Sequence, residues 1–362
     1  MIQRVIIAGG GTGGHIFPAI AIAHALVREV PDIKILFVGA KGKMEMEKVP
    51  QAGYRIEGID IAGFNRSSLL KNISLPVKLV KSFFQVRRIV GSFQPDAVIG
   101  VGGYSSFPVL RYAQQQGIPT FIHESNAFAG KSNQLLGKRA TRIFVAVEGM
   151  DRFFPKEKLM VTGNPVRSDI TRSVIKREEA VRMFGLDPEK KTLLSIGGSL
   201  GARSINEAVH AGLEKILGQG VQLIWQTGQP FAEKAAAVAM GREGVWTGPF
   251  IRDMASAFAA ADAVISRAGA MSIAELCVCG KPTVFVPYPF AAEDHQTVNA
   301  RALTEKEAAL LVTDAEAGAR LVDVSLELLA DEQKQEAFRS RMQALAHFDA
   351  DRVIAQKIAE SI

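Results

Sequence analysis

Val5-Ile6-Ile7-Ala8-Gly9-Gly10-Gly11-Thr12-Gly13-Gly14-His15 stands near the start of the chain, and its reading decides the fold. The apolar run predicts a buried strand. Five glycines fill the six positions 9–14, and after His15 the residues Ile16-Phe17-Pro18 begin a stretch rich in Ala, Ile and Leu with helical character. Strand, glycine turn and helix in that order bring backbone N–H groups and a helix N-terminus to one point, which suits a phosphate or a developing negative charge. The spacing Gly9-x-Gly11-x-x-Gly14 also satisfies the dinucleotide fingerprint, which wants a carboxylate about twenty residues on, at the end of the second strand, to hold a ribose. The next predicted strand ends in Val38-Gly39-Ala40-Lys41, with no acid. Lys41 could meet a 2′-phosphate, which leaves an NADP-dependent oxidoreductase as an alternative.

Working outward, strand-like runs alternate with helix-length stretches. They are Val5–Ala8, Ile35–Val38, Ala97–Val101, Thr120–His123 and Arg142–Ala146, then Thr192–Ile196, Gln222–Gln226, Val245–Trp246, Ala263–Ser266 and Thr283–Val286. Short apolar runs spaced by helices predict parallel sheets covered on both faces, the doubly wound α/β class. Just past the midpoint, Leu193-Leu194-Ser195-Ile196-Gly197-Gly198-Ser199-Leu200-Gly201-Ala202 repeats the opening pattern. Two Rossmann-like halves facing across a cleft are expected, with both glycine loops at carboxyl ends of strands. Gly163-Asn164-Pro165-Val166-Arg167 reads as the linker, giving domains 1–164 and 165–345.

The length of 362 residues also predicts two domains. A hydrophobic content of 48% with 22% charged residues is that of an ordinary globular protein. No apolar run approaches the roughly 18 residues that cross a bilayer, and the N-terminus runs directly into a strand rather than a signal peptide. Cys277 and Cys279, the only two cysteines, are too close for an ordinary structural disulfide and read as buried free thiols of a reducing compartment.

The net charge of +6 is unevenly spread. Ile61 to Pro95 contains no acid but holds Arg66, Lys71, Lys78, Lys81, Arg87 and Arg88; Ser125 to Val147 is likewise free of acids. On a helix over 77–90, Leu79, Phe83, Val86 and Val90 share one side and Lys78, Lys81, Gln85 and Arg88 another. With Leu69, Leu70 and Leu75 before it, this stretch suits an anionic membrane surface, the alternative being a core-facing helix with a solvated basic face. Expected membrane contacts are Lys71, Leu75, Lys78, Leu79, Lys81, Phe83 and Arg88. Nucleic acid is not an expected partner, because the aromatic stacking motifs of RNA-binding modules are lacking.

In the second half, Arg267-Ala268-Gly269-Ala270-Met271-Ser272-Ile273-Ala274-Glu275 turns from a strand into a helix. Its N–H groups suit a pyrophosphate and Glu275 a ribose diol, although Ser272-x-x-Glu275 is also a capping-box pattern. Glu293-Asp294-His295-Gln296 offers side chains for sugar hydroxyls. Asp349-Ala350-Asp351 is a formal Asp-x-Asp metal motif whose place beside the last helix favours a cap.

Together these segments resemble the MurG-type N-acetylglucosaminyltransferases of peptidoglycan synthesis, two-domain glycosyltransferases of the GT-B fold. The resemblance rests on 10–15, Gly-Gly-Tyr at 102–104, His-Glu-x-Asn at 123–126, Gly-Asn-Pro-Val-Arg at 163–167, Gly-Gly-Ser-x-Gly-Ala at 197–202, Arg-x-Gly-Ala at 267–270 with Glu275, and His-Gln-x-x-Asn-Ala at 295–300. Ser125 and Leu200 stand where the family commonly has glutamine. The resemblance implies inverting transfer of GlcNAc from UDP-GlcNAc to the 4-hydroxyl of MurNAc in undecaprenyl-diphospho-MurNAc-pentapeptide. It implies no metal or other cofactor, a peripheral place on the cytoplasmic face of the inner membrane, and other proteins of wall synthesis as partners. The donor contacts it implies are the Ile251 backbone at uracil, Glu275 at ribose, Ser199 and the turn opening Ala270-Met271-Ser272-Ile273-Ala274 at phosphate, and Gln296 at the GlcNAc hydroxyls. Thr12, Gly13, Gly14, Asn126 and Arg167 complete the site, and the last helix, about 346–362, returns to the first domain.

A hydroxyl nucleophile needs a general base, and a histidine at a loop–helix junction titrates in a usable range. His15 is the first candidate, its alternative being to orient the loop; Glu124 is the second. Another GT-B glycolipid transferase or a nucleotide-sugar epimerase are the competing activities on the same fold.

Overall fold

The computed structural model describes residues 2–63, 75–198 and 200–362. The chain divides into two compact units, Met1–Arg167 with His347–Ile362, and Ser168–Ala346.

The first unit holds β1 (Arg4–Ala8), β2 (Lys34–Ala40), β3 (Arg55–Ile59), β4 (Ala97–Gly100), β5 (Thr120–Glu124), β6 (Arg142–Val145) and β7 (Leu159–Val161). They form one sheet in the order β3-β2-β1-β4-β5-β6-β7. Every pairing is parallel, with Val5 opposite both Ile35 and Ala97. Val5 and Ile7 point into one apolar cluster and Ile6 and Ala8 into another, so β1 is apolar without interruption because it is covered on both faces.

The second unit holds β8 (Thr192–Ile196), β9 (Gln222–Gln226), β10 (Val245–Gly248), β11 (Ala263–Ser266), β12 (Thr283–Phe285) and β13 (Leu310–Leu311), in the order β10-β9-β8-β11-β12-β13. These pairings too are parallel. In both sheets the strand that leads into a glycine loop is central and has its order reversal beside it, where doubly wound folds bind ligands.

The last helix, Ala350–Ala359, packs on the helix Gly13–Glu29 within the first unit: Ile354, Ala355 and Ile358 join the cluster of Ile16, Ile22 and Leu26. Arg28 pairs with Asp351 at 2.6 Å on the rim of this contact. Asp349 is the N-cap residue but makes no side-chain cap bond; it accepts from Arg352 instead, at 2.6 Å.

The helix Leu75–Phe93 turns most of its expected apolar side inward and carries a second apolar stripe outward. Val86 and Val90 are core residues, Ser82 is fully buried and Phe83 half-buried. Its solvent side carries a second apolar stripe, Val77 (71% exposed), Val80 (58%) and Phe84 (68%), with Lys78, Arg87 and Arg88 also exposed. Leu79 lies at the edge of exposure, at 37%. Asp60, just past β3, fastens this helix: it accepts from Lys81 Nζ (3.0 Å) and Gln85 Nε2 (2.7 Å), with Lys41 Nζ at 3.1 Å. The Lys81 bond first, then Gln85 and Lys41, hold the Asp60 carboxyl well below its usual range. Among the described residues no helix is long and apolar enough to cross a membrane. Arg66, Leu69, Leu70 and Lys71 lie outside the described residues.

Candidate functional site

The loop leaving β1 is built by close backbone approaches that only glycine permits. A Cβ at Gly103 (φ +84°) would lie 2.3 Å from the Gly10 carbonyl oxygen, and Gly10 N donates to the Gly102 carbonyl at 3.3 Å. The loop after β4 is thereby laid against the loop after β1. Thr12 is the extended N-cap of the helix Gly13–Glu29 without a side-chain cap bond, and its carbonyl accepts from His15 N and Ile16 N. His15 therefore sits in the first helical turn, half-buried.

Its Nδ1 faces the Gly10 carbonyl at 3.2 Å, with Thr12 Oγ1 at 3.4 Å. A carbonyl can only accept, so Nδ1 carries the proton and the neutral ring has its lone pair on Nε2. Gly102 (φ +92°) makes room for that edge: a Cβ there would lie 2.8 Å from His15 Nε2.

Glu124, at the end of β5, has a different task. Its Oε1 accepts from Asn126 N (3.1 Å), with Asn126 Nδ2 at 3.4 Å, and its Oε2 accepts from Gly130 N (3.1 Å) and Asn133 Nδ2 (2.9 Å). Both oxygens hold the 124–133 loop. Beside it, His123 is wholly buried, with Nε2 toward the Gly163 carbonyl and Nδ1 toward Ser125 Oγ, both at 3.4 Å. Burial is the main force pulling His123 down to about 4; the Gly163 bond opposes it and the nearby His15 charge adds to it. Asn164 Nδ2 donates to the Ser125 carbonyl at 3.0 Å, tying the 163–167 segment to β5. The guanidinium of Arg167 lies 5.3 Å over the Phe17 ring. Asn126 and Arg167 thus stand at the carboxyl end of the sheet that bears Thr12, Gly13 and Gly14.

In the second unit, Gly201 (φ +75°) approaches Thr227 so closely that a Cβ would lie 2.0 Å from its carbonyl oxygen, and one at Gly228 would lie 2.3 Å from the Leu200 carbonyl oxygen. Gln226, at the end of β9, braces this region: its Nε2 donates to the Gly198 carbonyl and its Oε1 accepts from Ile251 N, both at 3.0 Å. The Ile251 N–H is therefore used within the protein. Ser199 lies outside the described residues.

The helix Ala270–Cys279 starts at Gly269, whose extended backbone forms an N-cap with no side-chain bond. Ser272 is thus the third helical residue, and the capping box expected of Ser272 and Glu275 does not form. Ala270, Ser272, Ile273, Ala274 and Glu275 are half-buried and Met271 is buried. Arg267 fixes the turn from below: Nη1 donates to the Val286 (3.0 Å) and Pro287 (3.1 Å) carbonyls and pairs with Asp314 (2.6 Å), while Nη2 donates to Ser204 Oγ (3.0 Å). Gln296 Oε1 accepts from Tyr288 N at 3.0 Å, so its amide nitrogen is the donor it can offer. Before it, Glu293 and Asp294 both adopt left-handed backbone (φ +55° and +51°), a strain typical of functional loops. Cys277 and Cys279 are free, and burial pushes both thiols up to about 12. Among the described residues no group of three or more His, Cys, Asp or Glu could hold a metal ion.

Glu45, Gln226 and the Arg267–Asp314–Ser204 brace escaped the sequence reading. Glu45 is an acid among other polar residues of a short helix, and nothing in its neighbourhood marks it as buried. Gln226 closes the strand Gln222–Gln226, and nothing in its neighbours marks its side chain as a brace.

Two Rossmann-like units of parallel strands, each with a glycine turn after its central strand, have the architecture of the GT-B class. The chain belongs to glycosyltransferase family 28: residues 5–145 match its N-terminal domain and residues 192–356 its C-terminal domain. A Phocaeicola vulgatus protein named UDP-N-acetylglucosamine–N-acetylmuramyl-(pentapeptide) pyrophosphoryl-undecaprenol N-acetylglucosamine transferase is 52% identical over 358 residues, covering 98% of this chain and 95% of its own. A Bacteroides thetaiotaomicron protein of the same name is 50% identical, covering 98% and 96%. The crystal structure of Acinetobacter baumannii MurG is similar with a TM-score of 0.78 at 28% identity, covering 99% of both chains.

Proposed function

We propose that the protein transfers GlcNAc from UDP-GlcNAc to the 4-hydroxyl of MurNAc in undecaprenyl-diphospho-MurNAc-pentapeptide, with inversion, forming the lipid-linked disaccharide of peptidoglycan synthesis. The observation that carries this reading is identity of about half the residues, over 98% of the chain, to transferases so named. His15 acts as the base. Its Nε2 takes the proton of the MurNAc 4-hydroxyl as that oxygen forms its bond to C1 of GlcNAc and the bond from C1 to UDP breaks.

UDP departs carrying the negative charge, which preorganised N–H groups stabilise without a metal in this reading. The start of the helix Ala270–Cys279 and the loop of Gly197–Ala202 supply such groups. Glu275 takes the ribose, Ile251 the uracil and Gln296 the GlcNAc hydroxyls. Thr12, Gly13, Gly14, Asn126 and Arg167 serve the diphosphates and the reacting sugars.

The helix Leu75–Phe93 attaches the enzyme peripherally to the cytoplasmic face of the inner membrane. The outward stripe of Val77, Val80 and Phe84, flanked by Lys78 and Arg88, supports this: an apolar face with basic neighbours suits an anionic interface. Incubation with radiolabelled UDP-GlcNAc and a short-chain lipid-linked MurNAc-pentapeptide is expected to give a labelled lipid-linked disaccharide. UDP release with label only in free GlcNAc would contradict the assignment.

A further inference from the structure

Glu45 is the least exposed acid of the first unit, at 1%, and no step described so far uses it. It sits at the start of the short helix Glu45–Gln51, and its two oxygens go to two backbone donors. Oε1 accepts from Ala40 N at 2.9 Å, at the end of β2, and Oε2 accepts from Gly11 N at 2.8 Å, in the first glycine loop. The fit is close: a Cβ at Gly10 would lie 2.3 Å from the carboxyl carbon, and one at Gly39 2.5 Å from Cγ.

The Gly11 N–H belongs to the same peptide group as the Gly10 carbonyl, and that carbonyl is the one His15 Nδ1 faces at 3.2 Å. One planar amide therefore lies between a buried carboxylate and the imidazole. A carboxylate accepting at the N–H end draws the amide into greater polarity and makes its oxygen a better acceptor. We propose that Glu45 is a positioning residue for His15: through the Gly10–Gly11 peptide group it fixes the Nδ1–H form and keeps the basic lone pair on Nε2. The arrangement is that of a carboxylate orienting a histidine, with a peptide group interposed. It also holds the loop against β2, so that the ring and its acceptor move together.

Thr12 Oγ1 is the longer contact at 3.4 Å, and Gly102 offers no side chain. His123, whose charge would be felt at His15, is buried and held down to about 4, so it is neutral near neutral pH.

The proposal rests on the reading of His15 as the base, and the test separates the two. Glu45→Gln keeps the shape but must turn an amide N–H toward either Ala40 N or Gly11 N. Nitrogen NMR of the full-length protein is expected to show His15 as the Nδ1–H tautomer in the wild type and a mixture of tautomers in the variant. In the same variant kcat should fall about ten- to a hundredfold, as when partners that orient ligating histidines are removed, with KM for UDP-GlcNAc unchanged. An unchanged tautomer in folded Glu45→Gln would overturn the relay. A changed tautomer with unchanged kcat would keep the relay and remove His15 as the base. A second measurement needs no variant: the wild-type Gly11 amide proton resonance should follow the His15 titration, and a Gly11 amide indifferent to it would overturn the proposal.

Discussion

The loops at 9–14 and 197–202 follow one sequence plan and are held in different ways. The first is clamped by a side chain, the Glu45 carboxylate on Gly11 N, and by the neighbouring Gly102-Gly103 turn. The second is clamped by backbone against backbone, Gly201 on Thr227 and Gly228 on Leu200, with the neutral amide of Gln226 on Gly198. A titratable ring follows the first loop, whereas an exposed leucine, Leu200, occupies the second. A carboxylate two bonds of hydrogen away from an imidazole is useful where a proton moves. A rigid frame of N–H groups with no ionisable neighbour is useful where an anion is held. In the proposed reaction, one strand–turn–helix unit serves acid–base work in one half of the chain and anion binding in the other.

If close backbone approach at Gly201 is what chiefly holds the second loop, Gly201→Ala and Gly198→Ala should differ sharply. Both have positive φ, but a Cβ at Gly201 meets a carbonyl oxygen at 2.0 Å whereas one at Gly198 meets nothing within 4 Å. Denaturant unfolding is expected to show a loss of about 3 kcal/mol or more for Gly201→Ala and about 1 kcal/mol for Gly198→Ala. Equal losses would mean that dihedral strain, not close approach, fixes the loop.

The buried His123 extends the contrast below the first loop. Its folded pKa of about 4 lies under the ordinary 6.5, so between those values the unfolded chain binds a proton that the folded chain refuses. Stability from this group is complete above pH 6.5 and is lost as pH falls toward 4, by ~3 kcal/mol in all. Urea midpoints at pH 7 and 4.5 should therefore converge in His123→Asn relative to wild type. An identical slope in the variant would place the acid sensitivity elsewhere.

The smallest effect concerns the membrane. Each basic residue near an anionic surface contributes about 1 kcal/mol, so Lys78→Glu and Arg88→Glu should each weaken vesicle binding by about fivefold or more. Val80→Ser and Phe84→Ser should weaken it on neutral and anionic vesicles alike. Unchanged partitioning in all four would return this helix face to plain solvent exposure.

The central strands were legible because burial on both faces makes them continuous apolar runs. The strands missed were β3, β7 and β13, all at sheet edges. Arg55-Ile56-Glu57-Gly58-Ile59 shows why: one face of an edge strand meets solvent, and its alternation is too short to stand out. A helix start misled too. Ser272 and Glu275 have the spacing of a capping box, yet Gly269 is the N-cap and Ser272 falls inside the first turn. The motifs singled out His15, Glu275 and Gln296 because their residue types carry recognisable chemistry at the ends of strands and the starts of helices. The motifs were silent where a distant residue such as Glu45 completes a loop, since only the fold brings β2 beside β1.

The division of labour between the loops is tested most directly by His15→Ala, assayed for turnover and for UDP-GlcNAc affinity by calorimetry on the same preparation. Loss of a general base predicts a fall in kcat of about 10²–10⁴-fold with the donor dissociation constant unchanged. A comparable loss of both would contradict the account and make His15 part of the donor site or of the loop's frame.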